Sequence, residues 1–227
     1  MQLNSDFTQR ARIHDGENEW TASPSAGVER KMLDRIGGEV ARATTIVRFA
    51  EGSVFAPHTH GGGEEFIVLD GVFQDEHADY PVGSYVRNPP TSRHTPRSEP
   101  GCTIFVKLWQ FHPDDREHVV IDMNVMALNP DPERDGVETG LLYRDTFEEV
   151  RKEHWEPNAA ASIDTDGGAE ILVLEGELTN RGTKLGPRDW LRLPDGGPED
   201  LKAGPDGAEI WIKTGHLIHA KAPAQAA

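Results

Sequence analysis

The sequence predicts an all-β chain built as two copies of one unit, and three observations carry this. Short runs rich in Val, Ile, Leu, Phe and Thr recur along the 227 residues, separated by 23 Gly and 16 Pro. That is the pattern of many strands joined by turns. Three segments of the first half return in the same order in the second. Helical spacing of apolar residues is confined to one short stretch.

The duplication fixes the frame. Glu65-Phe66-Ile67-Val68-Leu69-Asp70-Gly71 matches Glu170-Ile171-Leu172-Val173-Leu174-Glu175-Gly176. At the same offset, Tyr85-Val86-Arg87-Asn88-Pro89 lies over Trp190-Leu191-Arg192-Leu193-Pro194. With one residue inserted, Gly101-Cys102-Thr103-Ile104-Phe105-Val106-Lys107 lies over Gly207-Ala208-Glu209-Ile210-Trp211-Ile212-Lys213. In the first copy, 44–49, 53–57, 65–69, 83–88 and 103–111 are expected as strands. In the second, 170–174, 190–193 and 209–214 play the equivalent parts. The helix-like stretch is 145–154, where Phe147, Val150 and His154 fall three to four apart; it is short, and a mere turn leading into the second unit is the alternative.

The expected division is a polar N-terminal segment at 1–27, able to add an edge strand around Trp20, and a first unit at 28–115. A linker follows at 116–140, in which 119–128 can add a strand. A second unit at 141–219 and a disordered tail at 220–227 complete the chain.

Bulk composition narrows the function classes. Apolar residues make up 36% and charged residues 27%, which suits a folded chain with polar loops. The formal charge of −16 repels phosphate backbones and anionic lipid, so neither nucleic acid nor a bare membrane is an expected partner. The single cysteine, Cys102, rules out a disulfide within the chain and fits a reducing cytoplasm. The first residues lack a basic region and an apolar core, and no run of about 18 apolar residues occurs, so neither a signal peptide nor a membrane span is expected.

One constellation carries chemistry. His58 and His60 are two apart, so on a strand both rings point to one face. Gly61-Gly62-Gly63 allows a tight reversal, and Glu64 then opens the returning strand, facing the same histidines. A fourth group comes from His94, returned towards the pocket after the strand at 83–88 and the rigid Pro89-Pro90 turn. Imidazoles with a carboxylate suit Zn, Fe, Mn, Ni or Cu. The plainer reading is a hydrogen-bonded polar core, but four potential ligands at this spacing favour a metal.

This spacing resembles the cupin superfamily, whose first motif is G-x5-H-x-H-x(3,4)-E-x6-G. Gly52, His58, His60, Glu64 and Gly71 fill every position. In the second motif, G-x5-P-x-G-x2-H-x3-N, Gly83, Pro89 and His94 match, while Thr91 stands for the usual glycine and Ser98 for the asparagine. The resemblance implies two tandem cupin barrels of the jelly-roll type. Within the superfamily, His58-Thr59-His60-Gly61-Gly62-Gly63-Glu64-Glu65-Phe66, Asp75-Glu76-His77, the run 85–90 and the run 105–110 look like the cupin domain of ChrR-type zinc anti-sigma factors. That likeness is close over roughly 28–112 and weak in the second copy.

The resemblance implies a divalent metal on His58, His60, Glu64 and His94, with zinc first and iron, manganese or nickel as alternatives. It also implies a sensor, regulatory or ligand-binding role. The family's regulators hold their sigma factor with an N-terminal helical domain carrying His-x3-Cys-x2-Cys. Nothing here matches that domain, which leaves a sigma-factor partner without a module to hold it. The other expectation is a cupin-type dioxygenase acting on a diketone-like or phenolic substrate. Either role needs a small-molecule ligand or substrate, and a monomer or homodimer is expected.

The second copy has Ile163, Thr165, Ala169 and Glu199 at the four ligand positions, so it is expected to bind no metal. Glu65 aligns with Glu170, which implies a structural or surface role. Arg87 and Lys107 interrupt apolar strands; either could face the pocket and hold an anionic ligand, but single charges in strands are expected on the outside. His77 is read as a loop residue, Cys102 as a small packed residue, and Phe105, Trp109 and Phe111 as core.

Overall fold

In a computed structural model, which describes residues 1–38 and 40–223, the chain is all-β, with two short 3-10 turns and no α-helix among the described residues. The described residues form two compact units. One holds 1–5, 19–125 and 221–223; the other holds 6–18 and 126–220. The first unit thus extends past the expected boundary at 115, because Val119–Asp122 pairs antiparallel with Ser84–Asn88 as a further strand. The rest of the expected linker joins the second unit, where Val137–Arg144 pairs with Glu149–Trp155. The N-terminal segment is shared out: Gln2–Leu3 and Thr21–Ala22 pair with Val28–Gly37, whereas Ala11–Ile13 pairs with Trp190–Leu193. The expected tail lies outside the described residues from 224 onward.

In the first unit the main sheet runs Val28–Gly37, Ala41–Phe49, Cys102–Leu108, Glu64–Gln74, Ser84–Asn88, Val119–Asp122, each strand antiparallel to the next. Alternation sets its faces. Phe66, Val68, Val86, Ile104 and Val106 point to one side and build an apolar core with Phe49, Phe73 and Tyr80. The other unit repeats the order with Val137–Arg144, Glu149–Trp155, Glu199–Thr214, Ala169–Asn180 and Trp190–Leu193 around a larger aliphatic core.

The duplication is visible in the registers. Glu64 faces Asn88 as Ala169 faces Leu193, and His58 faces His94 as Ile163 faces Glu199. It also reaches the glycines. Gly71 and Gly176 have φ of +68° and +73°, and an added Cβ would lie 2.0 Å from the Gly101 carbonyl or 2.2 Å from that of Gly207. Only glycine lets the strands approach so closely at these bulges.

Two expectations are corrected. The stretch 145–154 is not helical. Glu149–Trp155 is a strand with partners on both sides, and Glu148, Val150 and Lys152 are buried in alternation. Two ladders outweigh the three-to-four spacing, and Phe147 lies in a turn whose N–H groups donate to Asp145. Arg87 and Lys107 are 1% and 0% exposed rather than outside. Arg87 pairs with Asp115 at 2.9 Å and stacks 4.0 Å from the Phe111 ring, while Lys107 donates to Thr44 at 2.9 Å. Glu65 is likewise buried and accepts a 2.6 Å hydrogen bond from the Tyr85 hydroxyl. The same charges recur in the other unit as Glu170, Arg192 and Lys213, all buried.

Candidate metal centre

Two short ladders and one long strand gather the four residues. His58–Thr59 pairs with Arg93–His94 so that His58 and His94 stand opposite each other, their ring centroids 5.0 Å apart. The pairing continues past the strand, since the His60 N–H donates to the Ser92 carbonyl at 2.9 Å and the Thr91 N–H to the His60 carbonyl at 2.8 Å. The chain then turns through Gly61-Gly62-Gly63, and Glu64 begins the strand that runs under the histidines.

The three glycines do more than permit a turn. A Cβ on Gly61 or Gly62 would lie 2.6 Å or 2.5 Å from the Trp109 ring, and one on Gly63 2.4 Å from the Phe111 ring. Trp109 and Phe111 also donate their N–H groups to the carbonyls of Gly63 and Gly62. These aromatics, expected simply as core, are half-buried plates that clamp the ligand loop.

The ligand atoms of His58, His60, Glu64 and His94 all lie within 4.8 Å of one another. His60 Nε2 and His94 Nε2 are 3.2 Å apart, and each is 3.4 Å from Glu64 Oε2. Donors about 2.1 Å from one ion stand about 3.0 Å apart at right angles and about 3.4 Å apart at the tetrahedral angle. These spacings therefore fit a shared first-row ion. His60, Glu64 and His94 are 3–7% exposed, and His58 forms the half-buried edge of the group.

The hydrogen bonds behind the rings fix their tautomers. His58 Nδ1 lies 3.0 Å from the Ala56 carbonyl and His94 Nδ1 3.1 Å from Asp75 Oδ2. His60 Nδ1 lies 2.9 Å from Ser92 Oγ, whose own proton goes to the Pro89 carbonyl. Each partner accepts, so each Nδ1 carries the proton and each Nε2 lone pair faces the centre. Asn88 Nδ2 donates to Glu64 Oε2 at 3.2 Å and orients it. Lone pairs and a carboxylate at this distance repel one another unless a cation lies among them.

Electrostatics agree. Burial is the largest influence on His60 and holds its pKa below the usual imidazole value, against the pull of Glu64. For His94 burial also acts downward, but the hydrogen bond to Asp75 and the charges of Glu64, Asp75 and Glu76 outweigh it and raise the pKa. Asp75 accepts the N–H groups of His77 and Ala78 on its other oxygen, at 2.8 Å and 3.1 Å. Against the desolvation that raises its pKa, these bonds and His94 keep its carboxyl below the ordinary range. The buried Tyr80 phenol also meets Asp75 and is pushed up to about 12, chiefly by desolvation.

The structure brings together all four residues that the spacing singles out as candidate ligands. The spacing did not find Asp75, Asn88, Ser92 or Trp109 as supports. Asn88 was within reach of such reasoning, since the hairpin sets it opposite Glu64. His77 is an exposed loop residue, as expected. Cys102 is packed at 3% exposure, with its thiol pushed up to about 11 by burial. Ser98, at the motif's asparagine position, donates to the Val72 carbonyl. Thr91, at the glycine position, keeps the glycine-like φ of +77°. Among the described residues the second unit gathers no group of metal ligands: Ile163, Thr165 and Ala169 are buried at the equivalent positions. No described helix is long and apolar enough to cross a membrane.

The sequence model of the ChrR cupin-like domain matches residues 8–112. No curated protein matches the chain. Among solved structures, a protein of Nostoc punctiforme described as a "putative dioxygenase" is 12% identical with a TM-score of 0.72, over 100% of this chain and 87% of its own. A protein of Pseudomonas aeruginosa described as a "putative glyoxylate induced protein" is 16% identical with a TM-score of 0.73, over 97% and 93%. The bacterial pirin YhhW of Escherichia coli, in complex with nickel(II), is 13% identical with a TM-score of 0.68, over 91% and 99%. The chain has a cupin fold, and its residues 8–112 match the ChrR cupin-like domain.

Proposed function

We propose that His58, His60, Glu64 and His94 hold one divalent metal ion, zinc first, and that the first barrel is a metal-dependent sensor or ligand-binding regulator. The single observation that carries this is the convergence of three Nε2 lone pairs and one carboxylate oxygen, each held by its own hydrogen-bond partner. A polar core without an ion has no reason to orient four acceptors at one another. Three imidazoles and one carboxylate leave one or two positions of an octahedral ion for a small ligand, which the ion would polarise as a Lewis acid. This chain's own residues limit what reaches it. Phe73 lies 5.9 Å from the His94 ring and is packed with Phe66, Phe49 and Tyr80. That aromatic wall favours a compact ligand arriving past half-buried His58 and Phe55.

A second reading is a dioxygenase for a diketone-like or phenolic substrate, with iron in place of zinc. It draws on the open coordination positions and on the fold shared with the Nostoc punctiforme protein. Elemental analysis of untagged protein, then oxygen-electrode assays after anaerobic Fe(II) loading, separates the two. Bound zinc and no oxygen uptake with any diketone or phenol supports the regulator. Substrate-dependent oxygen uptake overturns it in favour of the enzyme.

A further inference from the structure

The second barrel has reversed the polarity of the corner that supports the metal ligands in the first. At the common offset, Asp75 corresponds to Asn180, His94 to Glu199 and Tyr80 to Leu185. In the first barrel a carboxylate accepts from an imidazole, at 3.1 Å. In the second an amide donates to a carboxylate, Asn180 Nδ2 to Glu199 Oε2, at 3.2 Å. Where the first barrel packs a tyrosine, the second has a smaller leucine, and a cavity of about 270 Å³ is present there.

Cations line this cavity. Arg10 and Arg181 both reach Glu199 Oε1, at 2.6 Å and 2.5 Å, and Arg10 also donates to Asn180. Arg12 has no carboxylate partner among the described residues; it donates to the Thr183 hydroxyl at 2.7 Å. Three guanidiniums line the cavity against one carboxylate, Glu199, held by two of them, which leaves two positive charges in excess in a chain whose net charge is −16. The floor is apolar, made by Leu185 and Leu191, both 1% exposed. Arg10 and Arg12 arrive on the N-terminal segment, which is held to this barrel by the pairing of Ala11–Ile13 with Trp190–Leu193. Guanidiniums already fixed by Glu199 and Thr183 lose little freedom when they meet a further acceptor.

We propose that this cavity is an anion site for a small organic carboxylate, whose charged end meets Arg12 and Arg181 and whose apolar body lies on Leu185 and Leu191. The pairing is chemical: the planar guanidinium of Arg12 matches a carboxylate bidentately, Arg181 adds the nitrogen that Glu199 does not occupy, and the leucine floor separates such a ligand from inorganic phosphate. The site is independent of the metal reading, since none of its residues belongs to the first unit.

Isothermal titration calorimetry of the full chain with sodium benzoate, and separately with inorganic phosphate, tests the assignment. The expected result is one benzoate per chain, weakened about tenfold in Arg12→Gln and weakened by added salt, with the metal content of Arg12→Gln unchanged. Arg12 and Arg181 are both exposed, so their substitution leaves the core intact and the variants fold. Absence of binding at millimolar benzoate overturns the proposal, as does equal binding in wild type, Arg12→Gln and Arg181→Gln. Phosphate binding without benzoate binding overturns the carboxylate assignment. Benzoate binding abolished by EDTA places the ligand on a metal ion and overturns the site.

Discussion

Asp75→Asn tests whether support behind the ligands matters as much as the ligands. Asp75 Oδ1 accepts the N–H groups of His77 and Ala78, while Oδ2 faces His94 Nδ1. In the asparagine variant the carbonyl oxygen stays with the two N–H donors, because the NH₂ group cannot accept them. The NH₂ group then points at His94 Nδ1 and demands a lone pair there. That moves the imidazole proton to Nε2, the atom that must bind the ion. Losing a partner behind a metal-bound histidine weakens metal affinity about 10- to 100-fold, or about 1.4–2.8 kcal/mol. The upper end is expected, since the variant opposes the required tautomer as well as removing the charge. Competition of the purified variant with a chromophoric zinc chelator at pH 7.5 measures the change. A dissociation constant within twofold of wild type, in a variant that circular dichroism shows to be folded, would mean that Asp75 does not set the His94 tautomer.

Four further outcomes are expected. Gly62→Ala places a methyl 2.5 Å from the Trp109 ring and 2.8 Å from its Cα, so urea unfolding should show a loss of about 1–3 kcal/mol, and metal content should fall with it. Thr91→Gly relieves a left-handed conformation that costs about 1–2 kcal/mol, less the 0.5–1 kcal/mol or so that glycine loses in freedom; a gain of up to about 1.5 kcal/mol is expected, and a clear loss contradicts it. Cys102 should resist a thiol reagent at pH 8 in folded protein and react at once in denaturant, because its thiol is buried and pushed up to about 11; prompt reaction of the native chain contradicts this. In EDTA, His94 has a raised pKa, so its contribution is fully present below the unfolded value of about 6.5 and is lost as pH rises through the folded one. The Tm difference between wild type and His94→Gln in EDTA should therefore shrink from pH 6 towards pH 8, and a difference that grows would show the sign to be wrong.

How much was legible in the sequence depended on range. His58, His60 and Glu64 lie within seven consecutive residues on one strand and its return, so local geometry alone aims them together, and the Pro89-Pro90 turn brings His94 back. The duplication was legible because Gly71 and Gly176 answer the same close approach of two strands. Asp75, Ser92 and Trp109 were not, because their roles depend on which distant carbonyl, ring or glycine they meet. The stretch 145–154 was misread because three side chains at helical spacing are weaker than ladders on both sides of Glu149–Trp155. Arg87 and Lys107 were assigned to the outside by the rule for isolated charges. Their recurrence as Arg192 and Lys213, with Glu65 recurring as Glu170, was the signal that both sheet faces are buried.

Metal stoichiometry is the direct test of whether the four converging side chains hold an ion. Untagged protein and its Glu64→Ala and His94→Ala variants would be incubated with Zn(II), desalted and measured by elemental analysis. One equivalent of zinc per wild-type chain, and sharply less in both variants, is the predicted result. A wild-type chain that takes up neither Zn(II) nor, in parallel, Fe(II), Mn(II) or Ni(II) would contradict the central claim.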